Sequence, residues 1–161
     1  MALNNLGNLA TIVDQFELAE HYLHEAVSLF GEIDARSSMT DTYLHLAKLK
    51  RRQGDFGAAL TWLDRAWKNA PEETYHIQAL FLEQAFAAAA NDNFNLAATF
   101  IGFVDRQRED LGALNVDIEL NDRDVLVTSI KEALSDPAYE TAWRIGRNFD
   151  LPKAAARMLR P

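Results

Sequence analysis

Cysteine is absent from this chain of 161 residues, which excludes disulfides and thiolate metal sites. The lack fits a reducing compartment. Glycine is scarce, and its seven copies are scattered. None falls into G-x-G-x-x-G or G-x-x-x-x-G-K-S/T, so no phosphate-cradling loop is encoded. No G-x-S-x-G nucleophile elbow is present either. No apolar run approaches the ~18 residues that a membrane span requires. The opening MALNNLGNLA lacks the basic and apolar regions of a signal peptide. A cytoplasmic chain without membrane contact is therefore expected. Basic residues are few until late. Residues 1–140 hold 11 basic and 23 acidic residues, a net of −12, whereas 141–161 hold five basic residues against Asp150 alone. An acidic body repels phosphate backbones, so this chain is not expected to bind nucleic acid directly. The basic tail is read as cations near helix C-termini, where the dipole favours them.

What the chain does contain is an internal echo. Residues 3–29, LNNLGNLATIVDQFELAEHYLHEAVSL, return forty positions later as 43–69, YLHLAKLKRRQGDFGAALTWLDRAWKN. Leu6 answers to Leu46, Gly7 to Ala47, Asp14 to Gly54, Phe16 to Phe56, Ala19 to Ala59, Leu23 to Leu63 and Ala26 to Ala66. A weaker third copy follows 38 residues on, with Gln84-Ala85, Phe94, Ala97, Ile101 and Val104 in matching slots. Self-similarity at a fixed period signals stacked repeats, each too small to hide its own apolar face.

Apolar residues recur at helical spacing. The pattern predicts helices near 2–12, 16–32, 38–53, 56–69, 74–91 and 94–110. Tight turns are expected at Gly54-Asp55 and Asn91-Asp92-Asn93, and Pro71 closes the second pair. Short links demand antiparallel neighbours. Small residues at 7, 19, 26, 47, 59, 66, 85 and 97 let backbones approach. Large ones at Leu6, Phe16, Leu23, Leu46, Phe56, Leu63, Phe94 and Ile101 fill the gaps. After residue 115 the period breaks. An amphipathic stretch covers 122–134. Asp136-Pro137 looks like a cap opening a helix over 137–147, and Asp150 with Pro152 starts a last short helix.

The order Tyr43, Leu46, Ala47, Gly54-Asp55-Phe56, Ala59, Leu63, Ala66, Pro71 resembles the tetratricopeptide repeat. The resemblance covers about 1–110, with copies at about 3–32, 41–71 and 78–110. It departs from the family in its period of 38–40, longer than the standard 34, and in Asp14 and Asp92 at the turn-glycine slot. It implies an all-α superhelix of three antiparallel helix pairs, with 116–161 as a helical extension packed on the last, and a role in binding protein or peptide. The tail is similar to the end of the tetratricopeptide sensor region in bacterial multidomain signal-transduction ATPases that regulate transcription, with LuxR-type or winged-helix DNA-binding domains. Ala138-Tyr-Glu-Thr-Ala-Trp-Arg-Ile-Gly-Arg147 and Ala97-Ala98-x-x-x-Gly102 carry that likeness. The ATPase and DNA-binding domains are lacking, so a fragment or a short relative is expected. An uncapped first helix should leave an apolar face exposed.

The first helix of each pair lines the concave face of such a stack. By register that groove holds Asn4, Asn8 and Thr11, then Asp41, Leu44, His45, Lys48, Arg51 and Arg52, then Leu82, Phe86 and Ala89. A basic centre with an apolar end suits a peptide bearing a carboxylate and a bulky side chain. The run Lys48, Lys50, Arg51, Arg52 also suits a helix C-terminus, and the two roles are compatible. Carboxylate-clamp members of the family offer a test. Asn8 matches their first asparagine, but Asn4, His45, Ala79 and Glu83 occupy the other slots, so a chaperone tail is not the expected ligand. His21 and His24, beside Glu20 and Glu25, lack a third ligand and are read as solvent-facing rather than as a metal site. No cofactor is expected and no catalytic residue is assigned. Trp62, Trp67 and Trp143 are read as packing residues. The other roles considered are homo-oligomerisation through exposed repeat ends and, less in keeping with the residues, a small-molecule enzyme.

Overall fold

The computed structural model describes residues 2–69, 74–110 and 117–161. Among them are nine helices and no strand, so the all-α expectation holds. The helices are α1 Ala2–Ile12, α2 Phe16–Glu32, α3 Arg36–Arg52, α4 Phe56–Asn69, α5 Thr74–Ala90, α6 Phe94–Asp110, α7 Asp117–Ala133, α8 Asp136–Arg147 and α9 Leu151–Ala155. No helix of the described residues is long and apolar enough to cross a membrane. Pro71 lies outside the described residues.

The turns repeat as the side chains do. Asp14, Gly54 and Asp92 share the left-handed region, at φ 59°, 81° and 55°. In each case the next amide reaches back five residues: Gln15 to the Ala10 carbonyl, Asp55 to Lys50, Asn93 to Ala88, all at 2.9 Å. Each turn then opens a helix through the same contact, Ala19 to Gln15, Ala59 to Asp55 and Ala97 to Asn93. Glycine takes a positive φ freely, and aspartate is one of the few other residues that tolerate it. This is why Asp14 and Asp92 can stand in the glycine slot. The turn closing α2 uses the same device, with Asp34 at φ 49° and Ala35 bonded to Phe30.

The chain forms two compact units, Met1–Glu83 with Arg160–Pro161, and Gln84–Leu159. In the first, Ala10, Ala19, Leu23, Leu46 and Leu49 form a buried cluster bordered by Phe16, Val27, Tyr43 and Trp62. The cluster joins α3 to the α1–α2 pair. Trp62 stacks on Tyr43 with ring centres 5.7 Å apart, and Trp67 meets Phe81 edge-on at 6.5 Å. Phe16 and Phe56 are half-buried and cover the core edge rather than filling it. Leu6 was expected to fill a gap between helices. Instead it is 44% exposed, because none of the described helices is stacked on that side of α1.

In the second unit α6 and α8 cross with backbones in contact, through Ala98-x-x-x-Gly102 and Ala142-x-x-x-Gly146. Asp105, on α6, accepts both Arg123 Nε (2.7 Å) and Nη2 (2.5 Å) from α7 and Trp143 Nε1 (2.9 Å) from α8. This bond raises the Arg123 guanidinium further above its ordinary value. Burial, aided by the Asp105 charge, pushes the neighbouring Tyr139 phenol up to about 12. The fully buried Gln84 amide clasps the backbone of Leu159, donating to its carbonyl at 3.1 Å and accepting from its amide at 2.8 Å. Ser135, not Asp136, is the residue that precedes α8; its carbonyl accepts the Tyr139 amide and so closes the first turn. Asp150 caps α9 as expected, accepting from the Lys153 amide at 2.9 Å. That helix ends at Ala155 and is followed by tight turns.

Candidate functional site

Of the groove residues expected from register, eight that carry the reading lie in the first unit, with Thr11 and Leu82. The eight are Asn4 and Asn8 on α1 and Asp41, Leu44, His45, Lys48, Arg51 and Arg52 on α3. Phe86 belongs to the second unit, on the C-terminal half of α5. Asn4 and Asn8 are four residues apart, and so are Leu44 and Lys48 forty positions later. Each pair therefore shares a helix face at equivalent places on two packed helices.

The basic run divides into two kinds of residue. Three members reach neighbouring elements. Lys50 donates to Glu20 on α2 at 2.9 Å, which holds the Glu20 carboxyl below its ordinary value. Arg52 reaches Asp14 at 2.9 Å and the Ile12 carbonyl at 3.3 Å. Arg51 grips Glu83 on α5 in a fork, at 2.7 and 3.3 Å. These three fasten α3 to the pair before it and the helix after it. Lys48 differs. It is only 8% exposed, yet it makes no ion pair among the described residues.

Three side-chain amide atoms are also unsatisfied. Asn4 Oδ1, Asn8 Oδ1 and Gln78 Nε2 are buried without a hydrogen-bond partner among the described residues. A buried polar atom left unpaired costs about 1–3 kcal/mol, so native chains keep few of them. Here two of them fall on α1 and one on α5. Thr11 is different, because its hydroxyl donates to the Gly7 carbonyl at 2.9 Å. Asp41 takes a 2.9 Å contact with His76 Nε2. Sequence reasoning found Asn4, Asn8 and Lys48 through register alone. It missed Gln78 and His76, because the third copy is too degenerate to align them with confidence.

His45 sits half-buried beside Lys48. Desolvation, with a further push from the Lys48 charge and against the pull of Asp41, lowers its pKa to about 4. The ring is therefore neutral at pH 7. The unfolded chain binds a proton at this residue near its ordinary value, so between about pH 6.5 and 4 it holds more protons than the folded chain. Stability contributed by the neutral ring should be present above that window and lost as pH falls through it. Urea unfolding of wild type and His45→Gln across this range tests the point. The substitution is expected to flatten the acid slope above pH 5, where most carboxylates are still ionised. Identical slopes would discard the assignment.

The outer face of α2 is ordinary by comparison. His21 lies 3.9 Å from Glu25 and His24 3.7 Å from Glu20, all well exposed. No group of three His, Asp or Glu side chains able to hold a metal occurs among the described residues. Compared with known protein families, curated proteins and solved structures, the chain matches none of them.

Proposed function

We propose that the first unit binds an extended peptide or a protein segment along the face formed by α1, α3 and the start of α5. The observation that carries this reading is a set of buried amide atoms without partners among the described residues, on Asn4, Asn8 and Gln78, together with Lys48, a largely buried cation that makes no ion pair among them. An asparagine amide offers a donor and an acceptor matched to a peptide bond. Lys48 suits a carboxylate, whether a side chain or a chain terminus. Leu44 supplies an apolar contact, and neutral His45 adds no competing charge. The three matching turns support a tetratricopeptide-like stack of helix pairs, whose concave face would be this one. The close α6–α8 crossing is in keeping with the tail of regulatory sensor regions. The chain then serves as the sensor or scaffold module of a bacterial transcription regulator or signalling protein. A bound segment would favour one arrangement of the helix pairs, and attached domains would read it.

The test is a library of short peptides with free C-terminal carboxylates, screened by fluorescence anisotropy. Acidic peptides with a bulky apolar residue should bind. Lys48→Gln and Asn8→Ala should each weaken binding about tenfold or more, the loss expected for a charge-assisted or buried hydrogen bond. Far-UV circular dichroism should not change. A library without binders, or binders indifferent to both substitutions, would remove the groove.

A further inference from the structure

The outward side of α1 carries a second feature. Ala2, Leu6, Leu9 and Val13 are spaced 4-3-4 along the helix, which the Val13 amide extends by bonding to the Leu9 carbonyl at 3.1 Å. That spacing is the seam of two helices packed side by side. All four residues are exposed, with Leu6 at 44%, Leu9 at 56% and Val13 at 54%. Their forty-residue equivalents show what such a seam does when covered. Thr42, Leu46 and Leu49 are fully buried, the two leucines against Ala10, Ala19 and Leu23, while Gln53, the equivalent of Val13, is exposed. The first three positions of the stripe are thus closed on α3 and open on α1.

Charge decides what closes it. Residues 2–13 contain no Asp, Glu, Lys, Arg or His, in a chain of net charge −8. An anionic membrane would be repelled by the acidic body, with no cation on α1 to offset this. A basic partner would find no acid there. In a contact between identical chains related by a two-fold axis, residues near the axis face their own copies, so any charge there meets its own sign. A neutral face suits that occupant and disfavours the two charged ones. We infer that α1 is a self-association surface: two copies of this chain pair through the Leu6–Leu9–Val13 seams, antiparallel about a two-fold axis. Leu6 of one copy then faces Leu9 of the other. Asn5, exposed next to the seam, has an amide able to donate to and accept from its own counterpart. This inference is independent of the groove.

Sedimentation equilibrium of the intact chain across a wide concentration series tests it. Wild type should sediment as a dimer. Leu6→Lys with Leu9→Lys, and separately Leu6→Glu with Leu9→Glu, should each sediment as monomers, with helical circular dichroism retained because both positions are exposed. Mixing the lysine variant with the glutamate variant should restore a dimer, since opposite charges then face across the axis. A wild-type chain that is monomeric throughout overturns the inference. So do variants that remain dimeric, or a mixture that stays monomeric.

Discussion

Gly146→Ala is expected to destabilise the second unit by about 3 kcal/mol or more before helix propensity returns about 1 kcal/mol of it. A methyl at this position would lie 1.8 Å from the Thr99 carbonyl oxygen, 2.7 Å from its carbon and 3.0 Å from the Phe103 nitrogen. The partner position is equally closed, since a methyl at Gly102 would lie 2.0 Å from the Trp143 oxygen. These are backbone atoms, so no side chain can rotate aside. The helices would have to separate, and buried Phe100, Ile101 and Phe103 would lose contacts on the way. Trp143 sits at the crossing and reports the loss through its fluorescence in a urea or thermal melt. Each kcal/mol should lower Tm by about 2–4 °C in a chain of this size. Gly31→Ala is the control. It is helical, and nothing lies within 4 Å of its added carbon, so it should be neutral or stabilising by up to about 1 kcal/mol. Gly7→Ala should fall between the two, because the obstacle is the Leu23 side chain at 2.6 Å, which can shift. If Gly146→Ala melts with wild type, α6 and α8 do not cross as closely as described.

The helices were legible because each is bounded by residues with strong local preferences. Gly54 and the aspartates at 14 and 92 fixed the turns, and buried alanines at 19, 59 and 97 fixed the register. The boundaries of α1, α2 and α4 follow from this. Long-range polar pairing was not legible. Nothing near Asp105 in the sequence announces that Arg123 and Trp143 converge on it from 18 and 38 residues away. Likewise Gln84, a departure from the apolar residue the repeat prefers, reads as decay of the pattern until Leu159 is seen against its amide. Periodicity specifies which faces are buried. It is silent on which charge meets which, because a surface arginine and a stapling arginine occupy the same kind of position. The basic run illustrates this: of four cations, three pair with neighbouring elements, while Lys48 makes no ion pair among the described residues.

Arg51 is the fastener whose loss should matter most. Its guanidinium and the Glu83 carboxylate are 12% and 10% exposed, and their fork joins α3 to α5. Arg51→Met would leave a carboxylate buried beside an apolar chain. The expected cost is about 3–5 kcal/mol, because the desolvation of Glu83 is no longer offset. Glu83→Leu should also be damaging, because it takes the forked acceptor away from a largely buried guanidinium. The double substitution should recover most of the loss, since a buried pair replaced by apolar residues of like volume is often nearly neutral. Urea unfolding of all four chains gives the coupling directly. Additive losses in the double variant would show that the two residues contribute separately. The same double variant also discriminates within the groove. Arg51 is occupied by Glu83, whereas Lys48 makes no ion pair among the described residues, so a restored chain lacking Arg51 should bind the selected acidic peptides as wild type does. A restored chain that has lost them would move the carboxylate anchor from Lys48 to Arg51.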